Sequence, residues 1–183
     1  MGLRELRIEG DPILRKKARP VKKIDERMRN LLDDMVETMY EDKGIGLAGP
    51  QVGILRRVIV VDVGNGPYKM VNPEIIERSE ETDEDVEGCL SVPAFNGTVI
   101  RPRQVKVKYM DENGEEKEVL AEDLFARCLC HEIDHLDGIL FRDKVVREIN
   151  MENPGEDDIR YLKEHGIIDD EDQAEAESQE EAK

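Results

Sequence analysis

The sequence predicts an α+β fold: mainly antiparallel sheets packed around a central helix bearing an H-E-x-x-H motif, with an N-terminal helix and a short C-terminal one. Three features carry this expectation. Apolar residues recur at spacings of three and four near both ends of the chain. Short β-branched runs separated by Gly, Asn and Asp occupy the middle. Strands gathered centrally with helices at the flanks favour antiparallel pairing over alternating βαβ units.

Taken in order, residues Ile24 to Tyr40 place Met28, Leu31, Leu32, Met35, Val36 and Met39 on one helix face. The methionines read as core packing rather than a binding surface. Arg57 to Val63 reads as a buried strand and Tyr68 to Arg78 as a second, with Asn65-Gly66 turning the chain between them. Pro73 predicts that the second strand is an edge or carries an irregular break. Val105, Val107 and Tyr109 alternate with lysines, Asp111 to Gly114 forms a turn, and Lys117 to Ala121 returns, which is a hairpin. The acids of that turn do not match the spacing of a calcium-binding EF-hand loop. A helix is expected from an N-cap at Asp123 through His135, with Gly138 as its stop. A shorter helix follows Pro154-Gly155, covering about Asp157 to Glu164.

The chain has 183 residues, which suits one domain at residues 1–165 with a core that needs no disulfide. Residues 166–183 are expected to form a mobile tail, since from Ile167 to the end there are eight acids and one lysine. A net charge of −17 argues against nucleic-acid or anionic-membrane partners. No apolar run has signal-peptide or membrane-span length, and Leu6 breaks a myristoylation pattern, so a cytoplasmic protein is expected. The three cysteines are read as reduced thiols.

The chemistry concentrates in His131-Glu132-Ile133-Asp134-His135. Histidines four apart lie about 6 Å apart along one helix face, so both rings can reach one divalent ion. A catalytic ion normally takes a third protein ligand and keeps one open position. Phe141 stands where one metalloprotease class supplies a third histidine, which excludes that class. Cys128 would lie about 7 Å along the axis from the ion, too far for a metal–sulfur bond of about 2.3 Å. Cys130 points about 100° away around the helix. A downstream glutamate, Glu148 or Glu156, and Cys89 in Glu87-Gly88-Cys89-Leu90-Ser91 stay open as third ligand. Helix geometry alone does not choose between Glu132 and Asp134 as proton acceptor; side-chain length and the motif favour Glu132.

Three blocks, GIGLAGPQ at 44–51, EGCLS at 87–91 and HEIDHLDG at 131–138, together with Asp11 to Arg15, closely resemble the peptide deformylase family over residues 1 to about 165. The resemblance implies removal of the formyl group from the N-terminal methionine of nascent polypeptides. It also implies Cys89, His131 and His135 as metal ligands and Fe2+ as the physiological ion, with Zn2+, Ni2+ or Co2+ able to replace it. Glu132 becomes the acid–base group, and Gln51 and the Leu90 backbone N–H the oxyanion donors. The substrate backbone would pair near Ile45 and Gly46, and Leu124, Arg127 and Cys128 are candidates to line the methionine pocket, Arg127 being equally readable as a surface residue. Partners would be formyl-methionyl nascent chains, with transient proximity to the ribosome but no direct nucleic-acid contact. Arg101 is expected to brace Glu87. Cys130 departs from the glutamine, and Gly49 from the alanine, common at those places in the family.

Two alternatives remain: a metallopeptidase using Glu148 or Glu156, and a non-enzymatic structural metal site using Cys130. The spacing G-x-G-x-x-G in GIGLAGPQ also matches a dinucleotide-binding fingerprint. That fingerprint needs a preceding strand and a helix opening after it, whereas here a helix precedes and Pro50 follows. Its glycines are read instead as letting the backbone approach a bound peptide.

Overall fold

Val58 to Val61 are four consecutive apolar residues, all fully buried. A strand of this kind must be covered on both faces, and its layers explain the rest of the architecture. The computed structural model describes residues 2–168; the acidic tail beyond Ile168 lies outside them. In chain order the elements are α1 (Glu26–Glu41), β1 (Gly46–Ala48), β2 (Val58–Val61), β3 (Tyr68–Arg78), β4 (Thr82–Cys89), β5 (Val92–Pro102), β6 (Gln104–Met110), β7 (Glu116–Glu122), α2 (Asp123–Leu136), β8 (Val145–Ile149) and α3 (Glu156–Glu164). Short 3-10 turns occupy Pro12–Arg15, Gly49–Val52 and Phe141–Lys144. The strands make a five-stranded sheet, β1-β2-β3-β6-β7, and a three-stranded sheet, β4-β5-β8, all antiparallel.

Helix α1 covers one face of the larger sheet, packing Leu31, Leu32, Met35 and Met39 against Leu47, Val58, Val60 and Val71. Helix α2 covers the other, packing Ala126, Leu129, Ile133 and Leu136 against Ile59, Val61, Met70 and Val107. Alternate residues of β2 thus serve opposite cores. Each fully buried Leu, Met or Val contributes about 1.5–3 kcal/mol of transfer free energy. The smaller sheet closes over a third cluster of Leu14, Val92, Val99, Leu140 and Phe141.

Several sequence expectations change here. Pro73 does mark a break: Asn72 has φ +50° and the β3–β6 register shifts between Val71 and Glu74. It also lies beyond Tyr68–Val71, the part of β3 that pairs with β2, so at Pro73 the strand has β6 as its one strand partner. Asp123 is not the N-cap of α2. It is the first helical residue, with φ +49° at the corner leaving β7, and its carboxylate accepts from Arg103 Nε at 2.9 Å. Strands β4, β5 and β8 were not foreseen, since acids and Gly and Pro interrupt their alternation. Gly166 and Ile167, expected to begin the tail, instead fold back by donating to the carbonyls of Lys163 and Leu162.

The extended N-terminal segment ties these layers together. Arg7 N–H donates to Gln51 O and Glu9 N–H to Ser91 O, both at 2.7 Å. Farther back, Gly2 N–H and Arg4 Nε donate to the Asp34 carboxylate at 3.0 and 2.9 Å, and Arg4 N–H donates to Thr38 Oγ1 at 2.9 Å. Burial alone would raise the Asp34 pKa, but the Gly2 amide and the Arg4 guanidinium outweigh it and hold the carboxylate below its ordinary value. A depressed folded pKa adds stability above the unfolded value, near 4, that is lost as pH falls through the folded one. Asp34→Asn is therefore expected to lower stability by about 1 kcal/mol at pH 7. That difference should shrink toward zero as pH is lowered below about 4, as measured by urea unfolding across pH; a gap unchanged by acid would refute the assignment.

Candidate active site

Helix α2 lies between the two sheets, so its faces do different work. Ala126, Leu129, Cys130 and Ile133 pack toward the five-stranded sheet, while Arg127, His131 and His135 follow at four-residue steps on another face. On that face His131 Nδ1 meets Glu87 of β4 at 2.9 Å, and His135 Nε2 lies 3.3 Å from Cys89 Sγ at the end of β4. The ligand atoms of Cys89, His131 and His135 all lie within 4.8 Å of one another.

Glu87 fixes this geometry. Its carboxylate accepts two bonds from Arg101 at 2.9 and 3.0 Å and one from Arg127 Nη1 at 3.0 Å, besides its contact with His131. Arg101 also reaches Asp134 at 2.6 Å, which Lys144 approaches at 2.7 Å. The expected Arg101–Glu87 brace is present, and Asp134 belongs to it. Burial would raise the Glu87 pKa, but His131 and Arg101 bring it down to about 2. Held as an acceptor on Nδ1, Glu87 orients the His131 ring so that Nε2 faces Cys89 and His135. The Phe141 ring packs against His131 with centroids 5.6 Å apart.

Glu132 and Cys128 occupy the neighbouring face and approach β1. The Glu132 carboxyl is buried, with Oε2 lacking a hydrogen-bond partner among the described residues. Burial raises its pKa, reinforced by Glu87 and opposed by His131 and Arg101, to about 7. Burial, with the charges of His131 and Arg101, pushes the His135 pKa well down, which favours its neutral form. Gln51, in the turn after β1, accepts the Ala48 N–H on Oε1 at 2.9 Å. That leaves Nε2 to point at Ser91 Oγ, 3.1 Å away, and Cys89 Sγ, 3.6 Å away.

Beside these groups opens a cavity of about 370 Å³ bordered by Ile45, Gly46, Leu90, Leu124, Cys128 and Glu132. Gly46 permits the close approach of β1, because a Cβ there would sit 2.4 Å from Glu132 Oε1 and 2.8 Å from Cys128 Sγ. Gly49 faces the Arg56 and Ile54 carbonyls, which a Cβ would meet at 2.7 and 2.8 Å. The glycines of GIGLAGPQ thus serve contacts within the chain, and no helix of dinucleotide-binding type opens after them.

Arg127 also borders the cavity, but it is not a surface residue: it is buried, and its guanidinium donates to Val99 O at 2.7 Å and Asp83 O at 2.8 Å. Glu148 in β8 and Glu156 in α3 are exposed and stand outside the Cys89–His131–His135 group, which removes the downstream-glutamate reading. Cys130 faces the sheet core and is no fourth ligand. Sequence reasoning gave no role to Ser91 or to Phe141 as a ring support; their only signals were the EGCLS block and the place of Phe141 after the histidines.

Comparison with known proteins agrees with this geometry. Residues 3–150 match the family model described as polypeptide deformylase. The peptide deformylase of Finegoldia magna is 56% identical over 148 residues, covering 80% of this chain and 91% of that protein. Peptide deformylase 1 of Clostridium acetobutylicum is 57% identical over 145 residues, covering 79% and 96%. Among solved structures, the Thermotoga maritima peptide deformylase superposes with a TM-score of 0.77 at 47% identity, covering 78% of this chain and 97% of that one.

Two substitutions distinguish the glycines. Gly46→Ala meets the end of a side chain that can turn, so it should cost about 1–3 kcal/mol. Gly49→Ala meets two backbone carbonyls and should cost more. Urea unfolding of both variants checks the order, and equal or reversed costs would show that the close approaches do not set stability here.

Proposed function

The chain belongs to the polypeptide deformylase family and removes the N-formyl group from the N-terminal methionine of newly made polypeptides, and on that premise we propose which of its residues carry the reaction. Cys89, His131 and His135 hold the family's metal ion. The donor set fits one: metal–sulfur and metal–nitrogen bonds in a tetrahedral site set an S···N edge of about 3.6 Å, close to the 3.3 Å between Cys89 Sγ and His135 Nε2. One thiolate and two imidazoles suit Fe2+, the ion we assign, and also Zn2+, Ni2+ or Co2+. When bound, the ion polarises the formyl group and lowers the pKa of water at its open position.

The remaining work falls to the protein. Glu132 accepts a proton from the water that adds to the formyl carbon, then returns it to the amine nitrogen as the C–N bond breaks, releasing formate and a free N-terminus. Its buried, unpartnered oxygen beside the convergent Cys89, His131 and His135 is the observation that carries this reading. Gln51 Nε2 is aimed by the Ala48 contact and, with the Leu90 backbone N–H, donates to the developing oxyanion. The peptide backbone lies along Ile45 and Gly46 as an added strand, and its methionine side chain enters the cavity beside Leu124 and Cys128. Arg127 supports that wall through Glu87 and Val99 O rather than by touching substrate.

No described helix is long and apolar enough to cross a membrane. We place the enzyme in the cytoplasm, where its nascent substrates arise close to the ribosome.

Formate release from formyl-Met-Ala-Ser, with metal analysis after anaerobic purification, tests the scheme. Glu132→Gln should keep the metal and lose about 10²–10⁴-fold in kcat; formate release at the parent rate would sink the assignment. Cys89→Ala should lose the metal, and full occupancy in that variant would remove Cys89 from the ligand set. Glu87→Gln should weaken metal affinity by about 10–100-fold and lower stability by about 3–5 kcal/mol, because buried Arg101 and Arg127 lose their counter-charge.

A further inference from the structure

The active-site cavity carries one exposed charge on its rim. Of its charged lining residues among those described, Glu87, Arg127, His131 and Glu132 are buried, whereas Lys43 is exposed. Glu87 and Arg127 already neutralise one another at 3.0 Å. Lys43 makes no ion pair among the described residues, and its neighbours Glu41 and Asp42 are exposed but do not border the cavity.

The backbone of Lys43 is fixed. Where α1 ends, Lys43 N–H donates to Tyr40 O at 3.0 Å and Gly44 N–H to Met39 O at 2.8 Å, the paired bonds of a Schellman motif. The motif holds Lys43 at φ +56°, a left-handed conformation that glycine adopts far more readily. A lysine thus stands where local geometry favours glycine. Its charge complements the carbonyl end of α1, and its four-carbon stem carries an ammonium at the mouth of the cavity.

The run of the peptide brings its third residue to this place. A Cβ at Gly46 would lie 2.4 Å from Glu132 Oε1, so the formyl end of an added strand sits at the Gly46 end of the segment. Gly46, Leu47 and Ala48 are buried, while Ile45 is 44% exposed and Lys43 is exposed. The rest of the substrate therefore leaves past Gly44 and Lys43, antiparallel to them. Strand residues advance about 3.4 Å each, so the third residue lies about 7 Å beyond the methionine. We propose, on the peptide path assigned above, that Lys43 sets a preference for a carboxylate at the third residue of the formyl-methionyl substrate, counting methionine as the first. In a chain of net charge −17, whose field disfavours acidic peptides, this lysine is the local counter-charge that admits them.

Formate release from formyl-Met-Ala-Asp-amide and formyl-Met-Ala-Asn-amide tests this. The amides remove the free terminal carboxylate, which would otherwise supply the same charge at nearly the same distance. In the parent enzyme kcat/KM should be about threefold higher for the Asp peptide at low ionic strength, with the difference in KM rather than kcat. The ratio should approach one in about 1 M salt, which screens exposed charges beyond roughly 3 Å. Lys43→Gln should erase the preference and Lys43→Glu should invert it. Lys16→Glu, the same charge change at an exposed lysine that does not border the cavity, should keep the parent ratio. Equal efficiency with both peptides in the parent, a ratio unmoved by Lys43→Gln, or an equal shift in Lys16→Glu would each overturn the proposal alone. No formate from either peptide would overturn the reading of the site together with it.

Discussion

The buried carboxylate of Glu87 is the point on which this structure depends. It is almost fully removed from solvent, and it sits on β4 two residues before Cys89. An ionised carboxylate in such a place is tolerable only with several donors, and Arg101, Arg127 and His131 supply them. Arg101 comes from β5, and Arg127 and His131 from α2. Satisfying one charge therefore docks the smaller sheet against the helix and orients a ring of the metal-binding set in the same act. Removing any single donor leaves the carboxylate less well compensated in a low-dielectric space, so the group behaves as a unit.

Around that knot, α2 gains precision from being covered on more than one side. Its apolar face is held by the five-stranded sheet, whose other face is sealed by α1. Its histidine face meets β4 and β5, and its Glu132 face meets β1 at Gly46. The N-terminal segment adds a strap, bonding to both Gln51 and Ser91. Donors and acceptors from four separated parts of the chain are thus held on backbone that is itself fixed.

The polar groups left without partners are equally informative. Besides Arg7 Nε in the N-terminal segment, Glu132 Oε2 and His135 Nδ1 are buried and unpaired among the described residues. Such orphans cost stability, and these two lie at or next to the Cys89–His131–His135 group. Burial, reinforced by Glu87, raises the Glu132 pKa to about 7.

Local chemistry made much of this protein legible in its sequence. The α1 stripe, β2, the β6–β7 hairpin and α2 follow from periodicity alone, because each buries one continuous pattern. The H-E-x-x-H spacing determined that His131 and His135 share a face and that Cys128 lies too far along the axis to join them, whereas Cys130 was set aside only by its place in the sheet core. The smaller sheet was not legible: half of the eight residues of β4 are acidic, and its buried Glu87 pairs with charges rather than with apolar neighbours. Nor did position in the chain reveal that Asp123 turns a corner with φ +49°. Local periodicity records which residues seek burial. Which buried charge meets which partner across 14 to 44 positions, as Glu87 does with Arg101 and His131, is decided only when the layers close, because a charge contact leaves no repeating trace in sequence.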